Sequence, residues 1–568
     1  MDREKSHELM IGGILCLLLI VPCVAQLCGK RQHVTSLIMR GMDAKEGDWP
    51  WHAVLFHKKD VSLEYKCGGT ILAESTVLTA AHCLVTPAGV INRELLLVKV
   101  GQNHLLKANN RAQEYDALKL ILHPNYTIHG VRNDIALIKL ANEITYNDFI
   151  QPICLWNRRE DQNSIVNTTG TVIGFGYSDG YKTSLQEVRI PVVSTIECIE
   201  DNPAYGAKLT SGMFCAGNRT GVGPCNGDSG GGMFFNQSDV WYIRGLVSFT
   251  KPLESDMCDP NEYTVFTDVA KYKDWIEQHL PRSSEPANTV AKKRVTIIGQ
   301  PSGSNPIQTC GKRKAVRILI THGDEADDGI WPWHAALFHN KGRQFTYACG
   351  GSILDKNTIL TVASCLMTPP GLKTWERLMV QVGRTRLGQA SNRMQEHNVF
   401  QWTVHPNFSL SSVDYDIGLI KLATDITYTD YIQPICLWKQ EENYHSIENK
   451  TGIVIGYGLG GTEQTLDQLR AARIRVVSAT ECIETNRKYG ELLSSRMFCA
   501  GYRNGTGACK GDSGGGLFFG KRQIWYIRGI VSFTHAREDS GICDPNEYTV
   551  FTDVAKYSNW IRQHLWQK

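Results

Sequence analysis

What this 568-residue sequence lacks narrows its function first. It has no long run of charge of one sign, and its 60 Lys and Arg nearly balance 57 Asp and Glu, for a formal net charge of +3. A surface so mixed leaves no electrostatic footprint for nucleic acid. There is no CxxC pair and no Cys/His cluster at zinc-ligand spacing, so neither a metal centre nor another cofactor is expected. Beyond residue 26 no apolar run approaches the roughly 20 residues that cross a bilayer, so no membrane span is expected.

One apolar block does exist, LMIGGILCLLLIVPCV from Leu9 to Val24, led by Lys5 and running out through Cys23-Val24-Ala25, small residues suited to signal cleavage. It reads as a secretory signal over 1–26. An uncleaved N-terminal anchor is the alternative, because Asp2, Glu4 and Glu8 dilute the basic flank. Of 18 cysteines, Cys16 and Cys23 leave with the signal. The even remainder, in an exported chain, implies disulfide bridges. Asn-x-Ser/Thr sequons at Asn125, Asn167, Asn218, Asn236, Asn407, Asn449 and Asn504 fit the same route. A secreted, extracellular glycoprotein is therefore expected.

The length exceeds what one hydrophobic core usually serves, and the sequence repeats itself. CGKR opens at both Cys28 and Cys310, WPWHAVLFH at Trp49 returns as WPWHAALFH at Trp331, and IQPICLW recurs around Cys154 and Cys436. The offset is 282 residues through Cys154, 284 from Cys198 through Ser229 and 285 at Cys258. A unit this long is a duplicated domain rather than a solenoid repeat. Between the copies, 281–309 is rich in Pro, Ser and Gly around Lys292–Arg294, and reads as a linker. Its basic cluster is either a processing site or merely solvated. Within each copy, short apolar runs such as IALIKL and WYIRGLVSF are bounded by Gly, Asn and Asp, the pattern of an all-β domain. The exception is Val269, Tyr272, Trp275, Ile276 and Leu280, spaced as a closing amphipathic helix and repeated at Val554, Tyr557, Trp560, Ile561 and Leu565.

Three stretches of the first copy carry chemistry: TAAHC at His82, NDIALIKL at Asp134 and CNGDSGGG at Ser229. Each alone is weak, since a lone His, a turn Asp and a Gly-rich run are all common. In the order His, Asp, Ser, with cysteines just after the His and four residues before the Ser, they are specific. On these residues each copy resembles a trypsin-like (chymotrypsin-fold) serine protease, and the tandem layout with CGKR and WPWHA openings is similar to secreted arthropod proteases.

The resemblance implies an all-β fold of two tandem chymotrypsin-like domains, each a double six-stranded β-barrel with a C-terminal helix. It implies a pro-segment over 27–37, a catalytic domain over 38–280 and a second domain over 310–568. It implies bridges Cys28–Cys154, Cys67–Cys83, Cys198–Cys215 and Cys225–Cys258, repeated as Cys310–Cys436, Cys349–Cys365, Cys482–Cys499 and Cys509–Cys543. Partners are then protein or peptide substrates, with protease inhibitors or other cascade proteases as further candidates.

The chemistry explains the residue types. A serine hydroxyl is a poor nucleophile at neutral pH, so Ser229 needs a base; His82 can take its proton and return it to the leaving amine, while Asp134 fixes the tautomer. The N–H groups of Gly227 and Ser229 are expected to hold the oxyanion, each donor being worth about 10²–10³ in rate. In the second copy Asp416 and Ser513 persist, but Ser364 replaces the histidine. A hydroxyl cannot serve as the base, and loss of that histidine costs on the order of 10⁶ in turnover. The second domain is expected to be a pseudoprotease, either regulatory or a folded spacer.

By the same resemblance, Ile38, freed by cleavage after Leu37, pairs with Asp228; Ile320 after Leu319 is the second-copy equivalent. Family members cut after Arg or Lys at this bond, so Leu37 departs from the pattern. Gly223 and Gly507 stand six residues before the two serines, where Arg- or Lys-selective members place Asp. Without that carboxylate a buried cation has no partner. Thr250 and Thr264 narrow the slot, giving an expected preference for small aliphatic residues. The function expected is a secreted serine endopeptidase acting through the first domain. The alternative is a non-catalytic homologue that binds partners in an extracellular cascade.

Overall fold

The computed structural model describes residues 28–31, 42–280, 310–313, 324–325 and 329–565, apart from 60–61, 108–109, 128–129, 177–182, 253–256, 260, 341–343, 369–370, 373–377, 390, 441, 459–466, 538–542 and 545. The expected signal over 1–26, most of the pro-segment, the bonds after Leu37 and Leu319, and the linker 281–309 lie outside these residues.

In the first copy, His52–Lys59, Ser62–Ala73, Thr76–Thr79, Ala136–Leu140, Gln113–Leu122 and Leu96–Val100 pair in that order and close into a six-stranded barrel. Their β-branched and leucine side chains, Val54, Ile71, Val77, Val98 and Ile138 among them, are fully buried inside it. A second ring runs through Gln186–Val193, Thr169–Gly174, Gly232–Gln237, Val240–Thr250, Thr264–Asp268 and Met213–Ala216, which pairs back onto the first of these strands. The second copy repeats both rings, from His334–Asn340 to Leu378–Val382 and from Arg470–Val477 to Met497–Ala500. The architecture is thus all-β, with four six-stranded barrels in two tandem domains.

The WPW motif lies where the two barrels of a copy meet. Trp51 is fully buried, Trp49 stacks on Phe234 with ring centroids 5.8 Å apart, and Trp241 meets Trp49 edge-on at 5.0 Å. Arg31, of the CGKR opening, lies over Trp49 at 3.7 Å and Trp241 at 4.2 Å. The Cys28–Cys154 bridge and this cation–π contact together fasten the N-terminal segment to the body of the domain. Arg313 repeats the arrangement over Trp331 and Trp525. Deep in the second barrel, Arg244 donates from Nε and Nη2 to Asp268 at 2.7 and 2.9 Å, and both side chains are inaccessible to solvent. Nη1 and Nη2 also donate to the carbonyls of Arg159 and Glu160, so four of the five guanidinium N–H groups are hydrogen-bonded.

Eight disulfides join the pairs that the resemblance implies, four in each copy. The closing segment differs in detail from the expected helix. Val269–Tyr272 is a 3-10 turn, followed by the α-helix Lys273–His279, and the second copy repeats this over Val554–Tyr557 and Ser558–His564. Asp268 and Asp553 cap the turns from their buried ion pairs and fix where they start. No helix among the described residues is long and apolar enough to cross a membrane.

The two copies meet through equivalent surfaces. Glu200 accepts hydrogen bonds from the backbone N and Oγ of Ser495, at 2.7 and 3.0 Å. Glu484, 284 positions on, accepts the same pair from Ser211 at 2.8 and 3.1 Å. At the centre Gly206 lies against Gly490, also 284 positions apart, amid one apolar cluster that includes Ile196, Tyr205, Leu209, Tyr489 and Leu493. Such self-complementarity is the signature of an isologous, two-fold contact.

Candidate active site

His82 follows the strand Thr76–Thr79 on a short 3-10 turn, Ala81–Leu84, locked by the Cys67–Cys83 bridge. Asp134 precedes the strand Ala136–Leu140, which pairs with Thr76–Thr79, so the barrel's own register brings the two together. The carboxylate of Asp134 is fully buried. Its Oδ2 lies 2.7 Å from His82 Nδ1 and its Oδ1 accepts the His82 backbone N–H at 2.9 Å. Ser248 donates its hydroxyl to Oδ2 at 2.6 Å, and Thr267 donates to the Asp134 carbonyl at 3.0 Å. The register shift between Val247 and Phe249 is a bulge that interrupts the alternation at Ser248 and aims its hydroxyl at the carboxylate. Burial opposes a charge on His82, but the adjacent Asp134 charge and its hydrogen bond outweigh that and hold the imidazole above its ordinary pKa of 6.5.

Ser229 comes from the other barrel. Its carbonyl accepts from Gly68 N at 2.9 Å, and the following Gly230 packs so tightly against Thr79, Gly68 and Ala80 that no side chain fits there. The serine thereby lies at the seam, close to the turn bearing His82. Ser229 Oγ is not hydrogen-bonded to His82 Nε2 in this state; such contacts often tighten only when substrate is bound. Gly227 has φ +99°, a conformation open chiefly to glycine, and its carbonyl accepts the Tyr65 hydroxyl. Neither Gly227 N–H nor Ser229 N–H bonds within the described residues, leaving two adjacent donors for an oxygen.

Asp228 is buried, with Cys225 N and Gly176 N donating to it at 2.9 and 2.8 Å. Gly174 and Gly176 leave the space that its carboxylate fills, since a Cβ at either would lie 1.9 Å from an Asp228 oxygen. Burial raises its pKa to about 6, against the two backbone hydrogen bonds. No cation pairs with it among the described residues; Ile38, its expected partner, lies outside them. At the expected pocket, Thr250 and Thr264 join hydroxyl to hydroxyl at 3.0 Å, while a Cβ on Gly223 would meet nothing within 4 Å.

The second copy keeps this frame around a different residue. Ser364 donates its N–H and hydroxyl to Asp416 at 2.8 and 3.1 Å, and Ser532 and Thr552 occupy the roles of Ser248 and Thr267. Burial raises the Asp416 pKa, against hydrogen bonds from Ser532 and Ser364. Gly511 repeats φ +99° with its carbonyl on the Tyr347 hydroxyl at 2.7 Å, and Thr534 meets Thr549 at 3.1 Å beside Gly507. Asp512 repeats the buried, raised carboxyl beneath Ser513.

Sequence reasoning missed Ser248, Thr267, Tyr65 and Arg31. The repeats of SFT, TDVAKY and CGKR in both copies are the signal that points to three of them. All seven sequon asparagines are exposed. Cys67, His82 and Cys83 lie close enough to suggest a metal cluster, but both sulfurs are consumed by a disulfide.

A family model described as Trypsin matches the chain twice, over residues 38–276 and 320–561. The Rattus norvegicus protein Transmembrane protease serine 9 is 25% identical over 565 residues, covering 92% of this chain and 50% of that protein. Serine protease gd of Drosophila melanogaster is 28% identical over 279 residues, 41% of this chain and 50% of its own length. CLIP domain-containing serine protease B15 of Anopheles gambiae is 31% identical over 265 residues, 44% of this chain and 71% of the relative. The chain thus spans about half the length of the first two.

Proposed function

The chain belongs to the trypsin family of serine proteases, and from that premise we propose that its first domain, 38–280, is a secreted endopeptidase and its second, 310–568, a pseudoprotease. The observation that carries this reading is the 2.7 Å contact of His82 Nδ1 with the buried Asp134, against a serine at the same place in the second copy. In the reaction, Ser229 Oγ attacks the substrate carbonyl carbon as its proton passes to His82 Nε2. The Asp134 carboxylate accepts Nδ1–H and stabilises the imidazolium; Ser248 and the His82 backbone N–H keep that carboxylate from turning away, while Thr267 holds the residue's backbone carbonyl. The oxyanion takes hydrogen bonds from Gly227 N and Ser229 N. Collapse of the tetrahedral adduct expels the amine, which leaves with the proton from His82. Water then attacks the acyl-serine with His82 again as base.

Asp228 calls for the Ile38 ammonium: a buried carboxyl with a raised pKa gains most from a buried cation. The chain is accordingly a zymogen whose activating bond follows Leu37, with the severed piece retained by Cys28–Cys154 and by Arg31 on its tryptophans. The open floor at Gly223 and the threonine pair favour small aliphatic residues on the acyl side of the cut bond. The exposed sequons and disulfides support export. A fluorophosphonate probe on the secreted, Ile38-started chain tests the reading: label is expected on Ser229, absent from Ser513, and abolished by His82→Ala. No label on Ser229 would favour the alternative, a binding protein in an extracellular cascade.

A further inference from the structure

The contact between the copies touches the first domain behind its specificity pocket. Gly206 closes the turn Pro203–Tyr205 with φ −56°, an ordinary helical conformation that requires no glycine. What excludes a side chain there is the other domain: a Cβ on Gly206 would meet the Gly490 carbonyl oxygen at 2.9 Å and its Cα at 3.1 Å. The reverse holds for Gly490, in the helix Tyr489–Leu492, whose three nearest atoms all belong to Gly206. Arg487 adds a hydrogen bond from Nη1 to the Leu209 carbonyl at 2.6 Å. Backbone therefore presses on backbone across the seam.

One residue before Gly206, the buried Tyr205 reaches into its own domain. Its hydroxyl donates to the carbonyl of Tyr263 at 2.7 Å and accepts the N–H of Lys251 at 3.2 Å. Those are the peptide group entering Thr264 and the amide leaving Thr250, the two wall threonines. A single hydroxyl thus ties both strands of the pocket wall to the turn that Gly490 holds. Tyr489 makes the corresponding bond to the Tyr548 carbonyl at 2.6 Å in the second copy.

The geometry points to a function for the pseudoprotease: docked through Gly490, it props the turn at Tyr205 and so sets the shape of the first domain's substrate pocket. The inference rests on the catalytic reading above. Tyr205 is a positioning residue, since it acts through Lys251 and Tyr263 and touches no substrate. The His82–Asp134 contact itself is made within the first domain and involves none of the residues at the seam between the copies.

The test uses the whole activated chain. Ser229 labelling in the parent chain is read first; its absence overturns both readings. Gly490→Arg then places a side chain that its own helix tolerates against the Gly206 backbone. The expected result is a larger radius of gyration by small-angle scattering, Ser229 labelling retained, and KM for peptides with a small aliphatic residue at the cut raised about five-fold or more, with kcat little changed. Tyr205→Phe is expected to raise KM in the same way while the domains stay docked. Separation with unchanged KM overturns the inference, and so does a Gly490→Arg chain that stays docked. Should Gly490→Arg unfold the second domain, Arg487→Glu, which removes the Leu209 contact from a half-buried position, carries the same expectations and the same overturning results.

Discussion

Set side by side, the surroundings of Asp134 and Asp416 differ by one side chain and agree in almost everything else. Both carboxylates are fully buried, both accept from a serine on a bulged strand, and both have their carbonyl held by a threonine. One faces an imidazole and the other a hydroxyl that donates to it. The difference teaches that the frame and the chemistry are separable. Backbone register, bulge and disulfide hold the carboxylate whichever residue stands opposite, so the second copy could lose its base without losing its fold.

Exchanging the two residues gives the largest expected effect. His82→Ser makes the first site a copy of the second and should lower turnover by about 10⁶, the cost of losing the base from a complete triad. Circular dichroism should be unchanged, since Ser364 shows that a serine satisfies the carboxylate. The reverse change, Ser364→His, places an imidazole over a carboxylate whose Oδ2 already points at position 364. Fluorophosphonate labelling of Ser513 should then appear once the Leu319–Ile320 bond is cut. Continued silence of Ser513 in a correctly cut chain would mean that more than the base has been lost.

The structural pairs test whether the second copy is held together as firmly as the first. Arg244–Asp268 and Arg528–Asp553 are alike to 0.1 Å at their shortest contact, 2.7 and 2.8 Å, and are equally buried. Removing one partner of a buried pair strands the other charge, at a cost of about 3–5 kcal/mol. Arg244→Met and Arg528→Met should therefore lower the melting temperature of their own domains by similar amounts in calorimetry. A much smaller loss for Arg528→Met would mark the second domain as the looser copy.

How much of this was legible in the sequence depended on whether a residue's role is local or relational. His82, Asp134, Ser229 and Ser364 could be read because each stands in a motif whose neighbours are constrained by the same chemistry. The rings of strands were implied by family resemblance, whereas composition and alternation gave only an all-β domain. Val269–Leu280 read as one helix because periodicity does not distinguish a 3-10 turn from the first turn of an α-helix; the cap from the buried Asp268 decides it. Ser248 was hidden because a bulge breaks the alternation that strand reading depends on. Glu200, Gly206 and Ser211 recur 284 positions on as Glu484, Gly490 and Ser495, but repetition alone does not say that the two sets meet each other.

The smallest effect separates the copies by their second buried acid. Burial raises Asp228 and Asp512 alike, from 3.8 to about 6, with no cation beside either among the described residues. In the uncut chain the folded state therefore binds a proton at each site between about 6 and 3.8 that the unfolded chain does not. Stability contributed by these sites rises as pH falls through that window, and at pH 7 each ionised carboxyl costs about 3 kcal/mol. Asp228→Asn and Asp512→Asn should each flatten the fall in stability of the uncut chain between pH 4 and pH 7, measured by urea denaturation at both. Cutting after Leu37 should reverse the sign for the first site alone, because the Ile38 ammonium then makes the charged carboxylate the favoured form. Asp228→Asn would become destabilising at pH 7 while Asp512→Asn would not. Equal behaviour of the two variants after the cut would mean that the ammonium never reaches Asp228, and that this copy, too, stands unactivated.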